Sequence, residues 1–135
     1  MKNLILILLF IPAFVFSQNK KEEKKAKKSA NTWLLKIDNG QYLDSWDAAA
    51  KYFQNKIQAD RWSAALSASR VPLGGIIARK LNSSDYKAEL PGAPDGNYYV
   101  FTFDVVYENK QSATETVSLL QGDDKIWRVV GFFIK

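Results

Sequence analysis

The chain has 135 residues, 47% of them hydrophobic, and carries 19 basic against 14 acidic side chains for a net charge of +5. It holds no cysteine and no histidine, which excludes disulfides, thiolate nucleophiles, serine–histidine arrangements and imidazole or thiolate metal sites. The length suits one domain with a core of its own.

Residues 1–17 read as a signal peptide for export to the periplasm or the cell exterior. Lys2 precedes an apolar run from Leu4 to Phe16, and the small residues Val15 and Ser17 stand ahead of a cut before Gln18. As a helix the run would be about 20 Å long at ~1.5 Å per residue. A bilayer core is about 30 Å thick, so no integral membrane span is expected. Residues 18–28 follow with six lysines against Glu22 and Glu23 and no aromatic or β-branched side chain. That composition predicts a disordered linker, whose lysines would hold an anionic surface at only about millimolar affinity. With the linker and Lys2 set aside, residues 29–135 carry equal numbers of basic and acidic groups. A neutral domain argues against a nucleic-acid partner.

Residues 29–135 read as a single α+β domain. A first helix is predicted from Ser29 to Asn39, with Trp33, Leu34 and Ile37 on its apolar side and Gly40 as its stop. A second starts at Tyr42, where Tyr42, Trp46, Ala49, Ala50 and Phe53 keep helical spacing. A third covers Gln58 to Ser69, with Trp62, Ala65, Leu66 and Ser69 lining its buried side; Pro72 and Gly74–Gly75 end helical structure. Alternation then takes over. Ile76 to Asn82 forms a first strand, which Tyr86 to Leu90 extends past a bulge or bend at Ser83-Ser84-Asp85. After a loop at Pro91–Gly96, Tyr98 to Glu108 is the clearest strand, with Tyr99, Phe101, Phe103, Val105 and Tyr107 on one face. Turns at Asn109-Lys110 and Gly122-Asp123-Asp124 lead into Ser112–Leu120 and Ile126–Ile134, and such short turns require antiparallel neighbours. The expectation is three N-terminal helices covering one face of a four-stranded antiparallel sheet.

Certain residues, in order, carry a family resemblance. They are Trp33, Ile37-Asp38, Gly40, Tyr42, Ser45-Trp46 and Trp62, then Arg70, Pro72-Leu73-Gly74 and Arg79. Next come Leu90-Pro91-Gly92, Pro94-Asp95-Gly96-Asn97-Tyr98, Asn109-Lys110, Glu115, Trp127-Arg128-Val129 and Gly131. Together they resemble the bacterial domain-of-unknown-function family 4019. That resemblance implies export, no assigned activity, and the cone-like fold of the nuclear transport factor 2-like (cystatin-like) superfamily. In that fold a curved sheet wraps helices around a pocket, and related cones form homodimers. Because enzymes and pure binding modules share it, the fold alone does not choose a function.

The remaining chemistry rests on carboxylates, arginines, tyrosines and tryptophans. Glu115 shares strand parity with the apolar Ala113, Val117 and Leu119, so it points at the core or a cavity, where a lone carboxylate needs a partner. Arg79, flanked by Ile77 and Leu81, is the expected partner, and Arg70 the alternative. Asp38 stands at the end of the first helix, and Asp104 lies with Tyr98 on the mixed face of its strand. Trp46 and Trp62 would line an aromatic pocket or simply pack the core. The candidate pocket or ion-pair set is therefore Glu115, Arg79, Arg70, Asp38, Asp104, Trp46, Trp62 and Tyr98, with no metal and no cofactor. The favoured function is a non-enzymatic module binding a small molecule or an envelope protein. The alternatives are a small pocket enzyme with Glu115 or Asp104 as general base, and an envelope-associated protein held by its lysine tail.

Overall fold

The computed structural model describes residues 13–135, so most of the expected leader lies outside the described residues. The helices are α1 (Ala13–Asp38), α2 (Tyr42–Asp47), α3 (Lys51–Lys56) and α4 (Ala59–Arg70), followed by a 3-10 turn at Val71–Leu73. The strands are β1 (Ile76–Lys87), β2 (Tyr98–Tyr107), β3 (Lys110–Gln121) and β4 (Trp127–Ile134). They form one antiparallel sheet in the order β1-β2-β3-β4. The mixed α+β architecture and the antiparallel meander follow the sequence expectation. The helices differ from it in number and extent.

The lysine-rich segment is helical, where its composition predicted a disordered linker. It belongs to α1, whose buried stripe is Ala26, Ala30, Trp33, Leu34 and Ile37. Ala26 and Ala30 continue the period of the tryptophan backwards by whole turns, and tertiary contact with the sheet overrides the polar composition of that segment. The helix ends as the sequence implies. Gly40 takes φ +72°, its N–H reaches the Ile37 carbonyl at 3.1 Å, and the Gln41 N–H reaches that of Lys36 at 2.8 Å. This pair of reversed bonds satisfies carbonyls that the helix itself leaves open.

The predicted second helix is two. Its stripe breaks at Ala50, which is extended (φ −64°, ψ 151°), because the Ala50 N–H donates to the Val129 carbonyl on β4 at 2.9 Å. One side chain gathers carbonyls at the end of α2 and just beyond it. Gln54 Nε2 donates to the carbonyls of Trp46, Asp47 and Ala49 at 2.9, 3.1 and 3.3 Å. In α4 the buried residues are Trp62, Leu66 and Arg70; Ala65 and Ser69 are exposed, because the inward line runs along the four-residue spacing from Trp62.

On the sheet, the odd-numbered residues of β2 and β3 face the helices and are buried from Tyr99 to Tyr107 and from Ala113 to Leu119. β1 is one continuous strand with irregularities between Ile76 and Ala78 and between Leu81 and Ser83. The first of these turns Ile77 outward, to 64% exposure, and leaves Ile76 and Leu81 as the inward neighbours of Arg79. Four aromatic residues from both layers, Trp33, Phe53, Trp62 and Phe132, interlock with ring centroids 4.9 to 6.3 Å apart.

Candidate functional site

Sequence reasoning expected Glu115 to need a partner. The structure supplies two, from the two neighbouring strands β1 and β2. Arg79 donates to Glu115 from Nε at 2.7 Å and from Nη2 at 3.1 Å, and the Tyr107 hydroxyl also donates to Glu115. The outer nitrogens of the same guanidinium grip Asp38 at 2.8 Å each, Nη1 to Oδ2 and Nη2 to Oδ1. Arg79 is thus forked on both sides, a geometry that only a planar guanidinium provides. Arg70 completes the group. Its Nη2 lies 3.6 Å from Asp38, its Nη1 donates to the Gly74 carbonyl, and its charge stands 4.5 Å above the Tyr107 ring.

The cluster joins the C-termini of α1 and α4 to β1, β2 and β3. Its two carboxylates balance its two guanidiniums. Glu115 is fully buried, and the side chains of Arg70, Asp38 and Arg79 keep only 4%, 10% and 16% of their exposure. Burial works against the charge on Arg79, but its bonds to Asp38 and Glu115 outweigh that and raise its pKa. Burial, and then the bond to Glu115, raise the Tyr107 pKa, so its hydroxyl stays a proton donor to the carboxylate. The negative charge of Asp38 at a helix C-terminus is unfavourable in isolation, and the two arginines offset it.

The structure gathers Glu115, Arg79, Arg70 and Asp38 and leaves the other four elsewhere. Asp104 is exposed on the outer face of the sheet, where its carboxylate takes both bonds of the Asn82 amide at 3.0 and 3.1 Å. Tyr98 is buried on that same face beneath the loop after β1, with its hydroxyl donating to the Pro94 carbonyl. Trp62 packs in the core and donates to Ser45 Oγ at 2.9 Å; Trp46 donates to the Ile57 carbonyl at 2.8 Å. Both indoles therefore have intramolecular partners. By sequence Tyr107 is one more aromatic of the apolar face. Its inward parity on the strand next to that of Glu115 was the available signal.

The sequence reading also missed a second site. A cleft of about 450 Å³ opens between the N-terminal turns of α1 and the sheet, lined by residues that include Glu22, Tyr86, Asn97, Tyr99, Gln121 and Trp127. Tyr86 and Tyr99 meet edge to face at 5.7 Å, and Tyr99 tilts against Trp127 at 5.2 Å. Glu22 Oε2 accepts from Trp127 Nε1 at 3.0 Å and from Gln121 Nε2 at 3.1 Å, and the bond from Trp127 holds its carboxyl below the ordinary 4.5. The Tyr99 hydroxyl donates to the Asn19 carbonyl at 3.2 Å. This wall depended on Glu22 being helical, which its polar neighbourhood concealed. Among the described residues no helix is long and apolar enough to cross a membrane, and no cluster of acidic side chains could hold a metal.

A helical layer on one antiparallel sheet, with a neutral charge cluster sealed between them and an aromatic cleft at one end, defines a small α+β protein. Residues 29–132 match the family model described as a protein of unknown function, DUF4019, and the chain belongs to that family. No curated protein is significantly similar to it.

Proposed function

We propose that the domain is a non-catalytic binding module, exported to the periplasm or the cell exterior, and that the cleft beside α1 takes a small polar ligand with an apolar face. The observation that carries this reading is the chemistry of the cleft. Tyr86, 53% exposed, offers a ring face beside the amide groups of Asn97 and Gln121. Aromatic surface with a few fixed hydrogen-bonding groups is the usual composition of a small-molecule site. The buried cluster supports the non-catalytic part. Glu115 has no exposed surface and its oxygens are already engaged by Arg79 and Tyr107, so no substrate atom can reach it in this arrangement. Asp104, the other carboxylate considered as a base, faces outward and lies away from the cleft. Family membership and the helix-on-sheet layering also favour a curved, nuclear transport factor 2-like cone, and the leader-like first residues favour export.

A thermal-shift screen against neutral mono- and disaccharides tests the reading. A saccharide at a hundred times its Kd stabilises by about 2.7 kcal/mol. The expected result is a rise in Tm with at least one sugar, lost in Tyr86→Ala, whose side chain is too exposed to unfold the protein. No shift with any sugar, or a shift that Tyr86→Ala retains, would remove the cleft as the binding site.

A further inference from the structure

The helical state of residues 19–28 gives their lysines a direction. Lys21, Lys24, Lys25 and Lys28 stand at i, i+3, i+4 and i+7, which on an α-helix is one face. It lies opposite the buried line through Ala26, Ala30 and Trp33, and all four lysines are exposed. Among the described residues, Lys25 pairs with Glu22 at 3.0 Å, and the other three have no carboxylate partner. The row through Lys21 and Lys28 reaches Leu35 after a further seven residues, and Leu35 is 58% exposed. From Lys21 to Leu35 the line is about 21 Å long at ~1.5 Å per residue. Beyond Lys28 the basic and acidic residues balance, so the net positive charge is confined to this helical segment.

Three features choose the occupant. Every basic group in the segment is a lysine, a hydrated point charge without the fork that reads one phosphate bidentately, so the face suits a diffuse anionic layer. Leu35 adds an apolar contact that an acyl boundary can accept and a soluble polyanion cannot. The opposite side of the helix is already fastened to the sheet through Glu22 and Asn19, so docking would not have to order the segment. We propose that the outward face of α1 docks on a bilayer containing anionic phospholipid. The lysines take the headgroup layer, and Leu35 meets the acyl boundary.

The test is co-sedimentation of the full chain with phosphatidylcholine vesicles containing a quarter phosphatidylglycerol, at low salt. It is compared with the triple variant Lys21→Gln, Lys24→Gln, Lys28→Gln. The leader is common to both chains, so the difference between them reads the lysines. None of the three lines the cleft, so saccharide binding stays an independent measurement. Each lysine near such a surface contributes about fivefold in partitioning, so the triple variant should lose about a hundredfold. The two chains should partition alike on pure phosphatidylcholine. Leu35→Gln should weaken vesicle binding severalfold and leave binding to inorganic polyphosphate unchanged. Equal partitioning of wild type and triple variant on the anionic vesicles would overturn the proposal. So would a Leu35→Gln chain that binds those vesicles like wild type, which would mark the face as a site for soluble polyanions. Circular dichroism of the triple variant should show wild-type helicity. If it does not, the single variant Lys28→Glu, with its larger charge change at one exposed position, decides the matter in the same assay.

Discussion

The two ends of α1 handle charge in opposite ways. At its C-terminus, Asp38 enters a buried cluster in which two carboxylates and two guanidiniums cancel and almost every donor is used. At its N-terminal half, lysines point to solvent with little to neutralise them. Buried charge is tolerated only when paired and hydrogen-bonded, so it becomes a structural device that fixes helices to strands. Exposed charge is cheap, contributes little to the fold, and stays available to a partner. One helix thus anchors the domain at one end and presents a surface at the other.

This contrast can be broken first at the buried end. Glu115→Gln keeps the shape of the side chain but leaves Arg70 and Arg79 facing Asp38 alone. Removing one partner of a buried pair typically costs about 3–5 kcal/mol, which denaturant unfolding would register as a lower midpoint. A loss under 1 kcal/mol would mean that water reaches the cluster.

Tyr107→Phe is the milder cut. It deletes the hydroxyl that donates to Glu115 and keeps the ring beneath Arg70. A hydrogen bond to a charged group is worth about 1.5–3 kcal/mol, so the same titration should show a smaller decrease. A change equal to that of Glu115→Gln would instead assign the cluster's strength to the phenol.

Glu22 tests the boundary between the two regions. Its carboxyl titrates below its ordinary 4.5 in the folded protein, chiefly because Trp127 donates to it, and next because Lys25 does. A depressed folded pKa adds stability that is present above the ordinary value and is lost as the pH falls through the folded one. The side chain is partly exposed, so screening keeps the effect small. Glu22→Gln should therefore lower Tm slightly at neutral pH, and the two Tm-against-pH curves should converge as the pH falls below about 4.5, which leaves the variant with the flatter acid limb. An acid limb identical to wild type would show that the bond to Trp127 does not hold the helix to the sheet in solution.

The legibility of these regions differs for a physical reason. Strand parity carried Glu115 inward correctly, because alternation along β3 is local and the residues beside it are apolar. Arg79 is its partner as expected, with Leu81 beside it, but Ile76 takes the inward place expected for Ile77. The irregularity after Ile76 reverses parity, and nothing in the composition of Ile76-Ile77-Ala78 announces it. Asp104 and Tyr98 shared a face as expected, and that face proved to be the outer one. The break at Ala50 was invisible, because it depends on a carbonyl of Val129 almost the whole domain away in sequence.

The sequence by itself determined that helices precede strands, the turn at Gly40, the meander of strands and the inward set of β2 and β3. Each of these follows from periodicity or turn chemistry within a few residues. Only the tertiary structure decided that the lysine segment is a helix, that Asp38 and both arginines share one cluster with Glu115, and that a cleft stands beside Glu22. Those outcomes depend on which distant surfaces meet. A polar helix becomes stable once its alanine stripe is buried, and a buried charge is defined by partners that the chain supplies from far apart.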